Sequence, residues 1–429
     1  MNQHAPTSTK ELYTHCVLGT YGRFDLQLAR GEGAFVWDES GKKYLDFGAG
    51  IAVCSLGHCH PEVTRAVVAQ ASTLVHTSNL YYTRPQAELA SLLVSRVGDG
   101  RVFFCNSGAE ANEGLIKLSR KFGAATGDRH EVITFLGSFH GRTMTGISAT
   151  GQEKVKTGFA PLLEGFRHVP FGDLEATESA ITPATVAILV EPVQGEGGIH
   201  IASREFLQGL RALCDKHNLL LLFDEIQCGL GRTGDWCGWR TIAGTDAEPD
   251  AVSWAKGIAN GFPLGAFWVR DKAFAGTGGE VRLPSLLGPG SHGTTYGGNA
   301  VTCAAGLAVF SIIERENLLL HAKETGASLA KKIRAIGSPL VKEVRQIGLM
   351  VGIEILPSLM DLPTDAPLPS IVATLEAMQQ GILVIPAGEK VIRLLPPLNI
   401  RETEIQEAVE KLAAVFRSLE TRSSGTSAS

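Results

Sequence analysis

Three short apolar runs, each ending in an ionisable residue, constrain this chain more than any other feature of it. Ala187-Ile188-Leu189-Val190 leads into Glu191, Leu220-Leu221-Leu222-Phe223 into Asp224, and Val252-Ser253-Trp254-Ala255 into Lys256. The ionisable residues lie 33 and 32 positions apart, close to the roughly 30 residues of a strand-helix-strand unit. Runs that are apolar throughout suit strands buried on both faces of a parallel sheet. Ligands of such sheets bind at the carboxyl ends of the strands, so these three groups can share one crevice.

The same pattern extends along the chain. Strands are expected at 101–105, 132–135, 186–190, 219–223 and 251–254, with intervals long enough for crossover helices. A hairpin is expected at 34–37 and 43–47 around Asp38-Glu39-Ser40-Gly41, and helices at 61–74, 86–97 and 300–314. Further strands are expected at 349–355, 383–385 and 391–395. A last helix follows, with capping-box spacing at Thr403 and Gln406 and one apolar face of Ile405, Val409, Leu412, Phe416 and Leu419. The fold class is therefore α/β: a large domain around a mostly parallel sheet, plus a smaller α+β domain. The division expected is 56–305 for the large domain and 306–420 for the small one, which 1–55 joins, with a disordered Ser/Gly-rich tail at 421–429.

Composition narrows the function. A net charge of -5 is the wrong sign for a protein that tracks phosphate backbones, so small-molecule chemistry is the starting point. No apolar run approaches the ~18 residues of a membrane span, and MNQHAPTSTK has no leader-like apolar stretch. The expected location is the cytoplasm, where the eight dispersed cysteines would stay reduced. Cys54, His58, Cys59 and His60 could suggest a metal site, but adjacent Cys59 and His60 without a second ligand pair do not make a closed one. The segment reads instead as a turn into a helix that begins at Pro61.

A lysine at the mouth of an apolar crevice tends to lose its proton, and a neutral amine can form a Schiff base with a carbonyl. Most lysines lie on the surface, but Lys256 follows an apolar strand and is surrounded by Gly257, Gly261 and Gly265. Asp224 then has a task in pyridoxal chemistry, keeping a ring nitrogen protonated so that the ring can take up electrons. Taken alone, an aspartate after a strand serves equally as a helix N-cap. Cys105-Asn106-Ser107-Gly108-Ala109-Glu110, between a strand and a helix, suits an anion such as a cofactor phosphate, although Ser-Gly turns are common. His292-Gly293-Thr294-Thr295-Tyr296-Gly297-Gly298-Asn299 offers hydroxyls and open backbone, and reads equally as a plain loop before a helix.

Together these residues resemble the class III aminotransferases, a branch of the fold type I pyridoxal-phosphate enzymes. The resemblance runs from about residue 21 to residue 419. It rests on Gly50-Ile51-Ala52-Val53 with Leu56-Gly57-His58, on His76-Thr77-Ser78-Asn79-Leu80-Tyr81-Tyr82, and on Phe139-His140-Gly141-Arg142-Thr143. Glu191-Pro192-Val193-Gln194-Gly195-Glu196-Gly197-Gly198, Asp224-Glu225-Ile226-Gln227 and Ala255-Lys256-Gly257 continue it.

The likeness implies pyridoxal 5'-phosphate linked to Lys256, which would also move the proton between carbon atoms. It implies Asp224 on the ring nitrogen, Gln227 near the ring hydroxyl, Phe139 on the ring face, and Ser107, Gly108 and Ala109 on the phosphate. Ala109 departs from the threonine of many relatives, which removes one phosphate hydrogen bond. Thr295 would reach the phosphate of a neighbouring subunit, implying a homodimer with active sites at the interface, and Thr294 beside it would meet substrate. Arg142 would bind the carboxylate far from the reacting amine, and Arg393 the near carboxylate of glutamate. Glu196 would mask Arg393 when an ω-amino substrate is present, although a solvated acid in a Gly-rich loop is the alternative. The activity implied is δ-amino transfer from N2-acetylornithine to 2-oxoglutarate, giving glutamate, in arginine biosynthesis. Ornithine, 4-aminobutyrate, succinylornithine and succinyldiaminopimelate are alternative donors, and a mutase or decarboxylase on the same scaffold is a more distant one.

Overall fold

Seven strands make the central sheet of the computed structural model, which describes residues 8–360 and 366–424. In chain order they are β1 (Gly100–Cys105), β2 (Glu131–Phe135), β3 (Phe166–Val169), β4 (Thr185–Val190), β5 (Leu220–Asp224), β6 (Ala251–Trp254) and β7 (Gly265–Arg270). Across the sheet the order is β1-β7-β6-β5-β4-β2-β3. The pairings β6-β5, β5-β4, β4-β2 and β2-β3 are parallel. Every residue of β4, β5 and β6 is buried, as their unbroken apolar runs require.

The sheet differs from expectation at one side. Residues 101–105, expected among the parallel strands, pair only with β7 and antiparallel, and β7 is also antiparallel to β6. Neither β7 nor the edge strand β3 is among the expected strands. The glycines and proline of Gly261-Phe262-Pro263-Leu264-Gly265 mask the apolar stretch that continues into β7.

The hairpin forms as Phe35–Asp38 and Lys43–Asp46. Its turn is held by Asp38 Oδ1, which accepts from the amides of Ser40 and Lys42 at 2.9 Å each. A second sheet combines Val341–Ile347, Met350–Ile355, Val391–Leu394 and Ile385–Ala387, all antiparallel. The single strand expected at 383–385 is divided. Ile382–Leu383 pairs parallel with Lys43–Asp46, and Ile385–Ala387 joins the second sheet, so the chain changes sheets at Val384.

The last helix, Glu402–Ser424, buries Ile405, Leu412, Phe416 and Leu419. Its cap lies earlier than the Thr403 and Gln406 spacing implies: the Arg401 amide donates to Glu404 Oε2 at 2.8 Å. The helix also runs into the expected tail as far as Ser424, and 425–429 lie outside the described residues, as do 1–7 of the stretch read for a leader. Among the described residues no helix is long and apolar enough to cross a membrane.

After Lys43–Asp46 the backbone makes one left-handed helical turn. Ala49, Gly50, Ile51 and Ala52 have φ of 45, 65, 66 and 61°, and the amides of Ala52 and Val53 donate to Gly48 O and Ala49 O at 3.0 and 2.9 Å. Each non-glycine residue in this conformation costs about 1–2 kcal/mol. Asp46 offsets part of that, because its Oδ1 accepts from the amides of Gly48 and Ala49 at 2.9 Å each. Its Oδ2 lies 2.7 Å from His58 Nε2. His58 thus turns towards Asp46 and Cys54, Cys59 faces solvent, and His60 leads into the helix Pro61–Ala71.

The Asp46 hydrogen bond, helped by Cys54, raises the His58 pKa to about 10. A histidine raised in the folded state adds stability below its unfolded value of 6.5 and loses it as pH rises towards 10. Because the ring is partly open to solvent, we expect only about 1–2 kcal/mol from it. Urea denaturation should show wild type more stable than His58→Gln by that amount at pH 6.5, with the gap closing by pH 10.

Candidate active site

The parallel order of β4, β5 and β6 brings Glu191, Asp224 and Lys256 to one edge of the sheet, where all three line a cavity of ≈ 370 Å³. Asp224 is 3% exposed. Its Oδ2 accepts from Asn112 Nδ2 at 2.7 Å and lies 2.8 Å from His140 Nδ1, and its Oδ1 accepts from the Ile226 amide at 3.1 Å. Asn112 is fixed in turn, since its Oδ1 accepts from Ser253 Oγ at 2.7 Å and its Nδ2 also donates to His140 O at 3.0 Å. The His140 ring is fully buried. A carboxylate held by three donors keeps its position and cannot turn to find water.

Glu191 accepts from the amides of Phe139 at 2.8 Å and Gly195 at 3.3 Å. Burial, followed by the nearby charge of Asp224, pushes its pKa well above the usual carboxylate range. Lys256 moves the other way, because burial disfavours its ammonium form and lowers its pKa. The lysine also sits at φ 45°, a conformation that costs a side-chain-bearing residue about 1–3 kcal/mol. Its surroundings therefore hold the backbone in place and favour a neutral amine.

The helix Gly108–Thr126 starts at the opposite wall, with Ser107 as its N-cap accepting from the Glu110 amide at 3.3 Å. The Asn106 amide and Nδ2 donate to the Glu110 carboxylate at 2.9 Å each, so the loop before the helix is closed by its own side chains. First-turn amides have no acceptor within a helix, and with the helix dipole they suit a phosphate. A β-carbon at Gly108 would fall 2.7 Å from Ile226 Cδ1, so a larger residue there would have to push the Ile226 side chain aside. An anion cradle, a fixed carboxylate and a desolvated lysine in one cavity fit pyridoxal 5'-phosphate.

Arg393 is fully buried on Val391–Leu394. Its Nη1 donates to Gln227 Oε1 at 2.9 Å and its Nη2 to Glu196 Oε1 at 3.0 Å. Burial works against ionisation of Glu196, but the charges of Arg393 and Lys256 outweigh it and hold the carboxyl below its usual range. Arg142 is exposed at the cavity mouth, its guanidinium 5.5 Å from the centre of the Phe139 ring.

Ser107, Gly108, Ala109, Phe139, Arg142, Glu196, Asp224, Gln227 and Lys256 therefore surround one cavity, with Arg393 reaching it through Gln227 and Glu196. Thr294 adjoins it, accepting from Asn106 Nδ2 at 2.9 Å and donating to Glu110 Oε1 at 3.2 Å. Thr295 does not reach it, and lines an exposed groove with Leu74, Val75 and His76. Sequence reasoning assigned nothing to Asn112, His140 and Ser253. A histidine between Phe139 and Arg142 was a usable signal, whereas Asn112 and Ser253 meet only through the packing of a helix on a strand.

The class-III aminotransferase family model matches residues 20–416. Acetylornithine aminotransferase of Myxococcus xanthus is 45% identical, over 91% of this chain and 92% of its own length. Among solved structures, ornithine aminotransferase from Toxoplasma gondii superimposes with a TM-score of 0.88 at 29% identity, covering 98% of this chain and 97% of the other. N-acetylornithine aminotransferase from Stenotrophomonas maltophilia does so with a TM-score of 0.77 at 34% identity, covering 94% and 98%.

Asn112→Ala removes a donor from a buried carboxylate and leaves Ser253 Oγ unpaired. It should lower unfolding free energy by about 1–3 kcal/mol in urea titrations, and Ser253→Ala by less.

Proposed function

The chain belongs to the class-III aminotransferases, and from that premise we propose that it moves the δ-amino group of N2-acetyl-L-ornithine to 2-oxoglutarate, forming N-acetyl-L-glutamate 5-semialdehyde and L-glutamate. Pyridoxal 5'-phosphate, when bound, supplies the aldehyde that carries the amino group and a ring that takes up the electrons released at carbon. Lys256, whose ammonium form burial disfavours, would hold the cofactor and then accept or return a proton at the carbon bearing nitrogen. Asp224, held by Asn112, His140 and the Ile226 amide, would pair with the ring nitrogen. Ser107, Gly108 and Ala109 would hold the phosphate and Phe139 would cover the ring, while Glu191 fixes Phe139 and the Glu196 loop through their backbones.

One observation carries this reading: a fully buried Arg393 closed by Glu196 beside the lysine, with a second, open arginine, Arg142, at the mouth. An ω-amino donor carries its carboxylate far from the reacting amine, within the province of Arg142. Glutamate brings a second carboxylate next to its amine, and for that molecule Glu196 must release Arg393. Two cations, one of them masked, suit two substrates that differ by one near carboxylate. The acetylated donor is supported by the identity to the Myxococcus xanthus enzyme. A second reading, free ornithine as donor, is favoured by the close superposition on the Toxoplasma gondii enzyme. Thr295, apart from its own chain's cavity, would complete the phosphate site of a second copy in a homodimer.

Steady-state rates should show a higher kcat/KM for N2-acetylornithine than for ornithine or 4-aminobutyrate, and the reverse order would replace the first reading by the second. Borohydride reduction and peptide mapping should place the cofactor on Lys256, and Lys256→Ala should lower turnover by more than about 10³-fold. Arg393→Gln should reduce kcat/KM for 2-oxoglutarate by about 2–4 kcal/mol, or roughly 30–1,000-fold, while changing that for the amine donor less than tenfold.

A further inference from the structure

Beside the pair of Glu196 and Arg393, another arginine of the same sheet grips the loop that carries Glu196. Arg345 Nε and Nη2 both donate to Gly198 O, at 3.1 and 2.9 Å. Glu196 lies at the tip of a hairpin, because Val193–Gln194 pairs antiparallel with His200–Ile201. Resting on the two-arginine reading given above, we propose that Arg345 is a positioning residue for that tip, and that its hold on Gly198 sets how readily Glu196 gives up Arg393 to the near carboxylate of a dicarboxylate substrate.

Strand register explains how the two arginines act on one loop. Arg345 opposes Gly352 across one pair of strands and Gly352 opposes Arg393 across the next, so the three form a single row. Directly opposed residues of antiparallel strands share a face of the sheet. The middle position has no side chain, and the hairpin tip lies in that gap: a β-carbon on Gly352 would fall 3.0 Å from Ile199 Cβ and 3.2 Å from Gly198 O. The tip is thus seated on the sheet between two guanidinium groups. Arg345 holds its carbonyl on one side, and Arg393 holds Glu196 Oε1 at 3.0 Å on the other.

The grip on Gly198 is itself braced. Arg345 is mostly buried, and its Nη1 donates to Glu343 and Glu354 at 2.6 Å each. Glu354 also accepts from Lys342 at 2.7 Å. The two carboxylates orient the guanidinium and leave Nε and Nη2 for the carbonyl. At the other end of the tip, the Gly195 amide donates to Glu191 Oε2, and the Gly198 amide closes the turn on Gly195 O, at 3.3 Å each. Glu196 and Gly197 therefore sit between two anchored points. A β-carbon on Gly197 would fall 2.9 Å from Gly137 O, so the backbone there is packed as closely as glycine allows. With Gly198 released, closing Glu196 onto Arg393 would require the whole tip to be ordered at the same time, and the mask over Arg393 would weaken.

Binding of glutarate, a dicarboxylate with no oxo group to react, reads that mask by calorimetry on the cofactor-loaded protein without turnover. Arg345→Met should tighten glutarate at least about fivefold. It should also shift the ratio of kcat/KM for 2-oxoglutarate to that for the amine donor by a similar factor towards 2-oxoglutarate. Arg345→Lys keeps a charge opposite Glu343 and Glu354 but has a single nitrogen for Gly198 O, and should fall between wild type and Arg345→Met. A merely structural role would lower both kcat/KM values together and leave their ratio unchanged. Glutarate bound no more tightly by either variant, with an unchanged ratio, would overturn the proposal, and Arg345→Lys decides the matter if Arg345→Met does not fold. Arg393→Gln tests the underlying reading separately, since it should weaken glutarate by more than about tenfold. Glutarate binding left intact by Arg393→Gln would sink that reading, and the role of Arg345 with it. Binding weakened there but indifferent to Arg345 would sink the role of Arg345 alone.

Discussion

A carboxylate with almost no access to water, at the end of a strand buried on both faces, is the constraint around which this molecule is arranged. Asp224 cannot be there unless every lone pair that faces the interior is met, because an unpaired buried charge is several kilocalories unfavourable. That requirement reaches outward: Asn112 must project from the first turns of the Gly108–Thr126 helix, His140 from the loop after β2, and Ser253 from the neighbouring strand. Meeting it places the helix N-terminus and the Phe139 loop on opposite sides of one space. The anion cradle and the place of Phe139 in the cavity wall are, in this sense, consequences of solvating one acid from within.

Lys256 uses the same dry environment in the opposite sense. Where Asp224 is held by donors, burial lowers the pKa of the lysine and raises that of the acid beside it, Glu191. One apolar crevice can hold three ionisable groups because each has a different supply of partners. Lys256, with its strained backbone, lines this space, and so does Val53, which directly follows the left-handed turn at Ala49–Ala52. Strain of this kind persists only where surrounding packing over-determines it, and here Asp46 and β6 provide that packing.

Much of this was legible before any coordinates. Residues inside a parallel sheet have one face requirement on both sides, so the runs before Glu191, Asp224 and Lys256 announce themselves and locate the crevice. What escaped depends on partners distant in sequence. Nothing in Leu383-Val384-Ile385 says that the chain leaves one sheet for another there, because each half is apolar and each sheet accepts it. The reversed strand β7 begins at a glycine behind a proline turn, and its direction is settled by where β1 lies. At the last helix the cap lies two residues before the expected one, since Glu404, not Gln406, reaches back to the amide before the helix. Asn112 is a helix residue like any other until the strand bearing Ser253 is packed beneath it.

Arg393 stands on a strand of the second sheet, while both side chains that hold it, Gln227 and Glu196, come from loops of the central one. This buried guanidinium is a rivet between two parts of the chain. A visitor that takes Arg393 for itself must draw Glu196 off, and one without a near carboxylate leaves the rivet closed. By reciprocity, whatever stiffens or loosens that seam changes how readily Arg393 is uncovered. How firmly the two sheets are pinned together thus depends on the same ion pair that closes off Arg393.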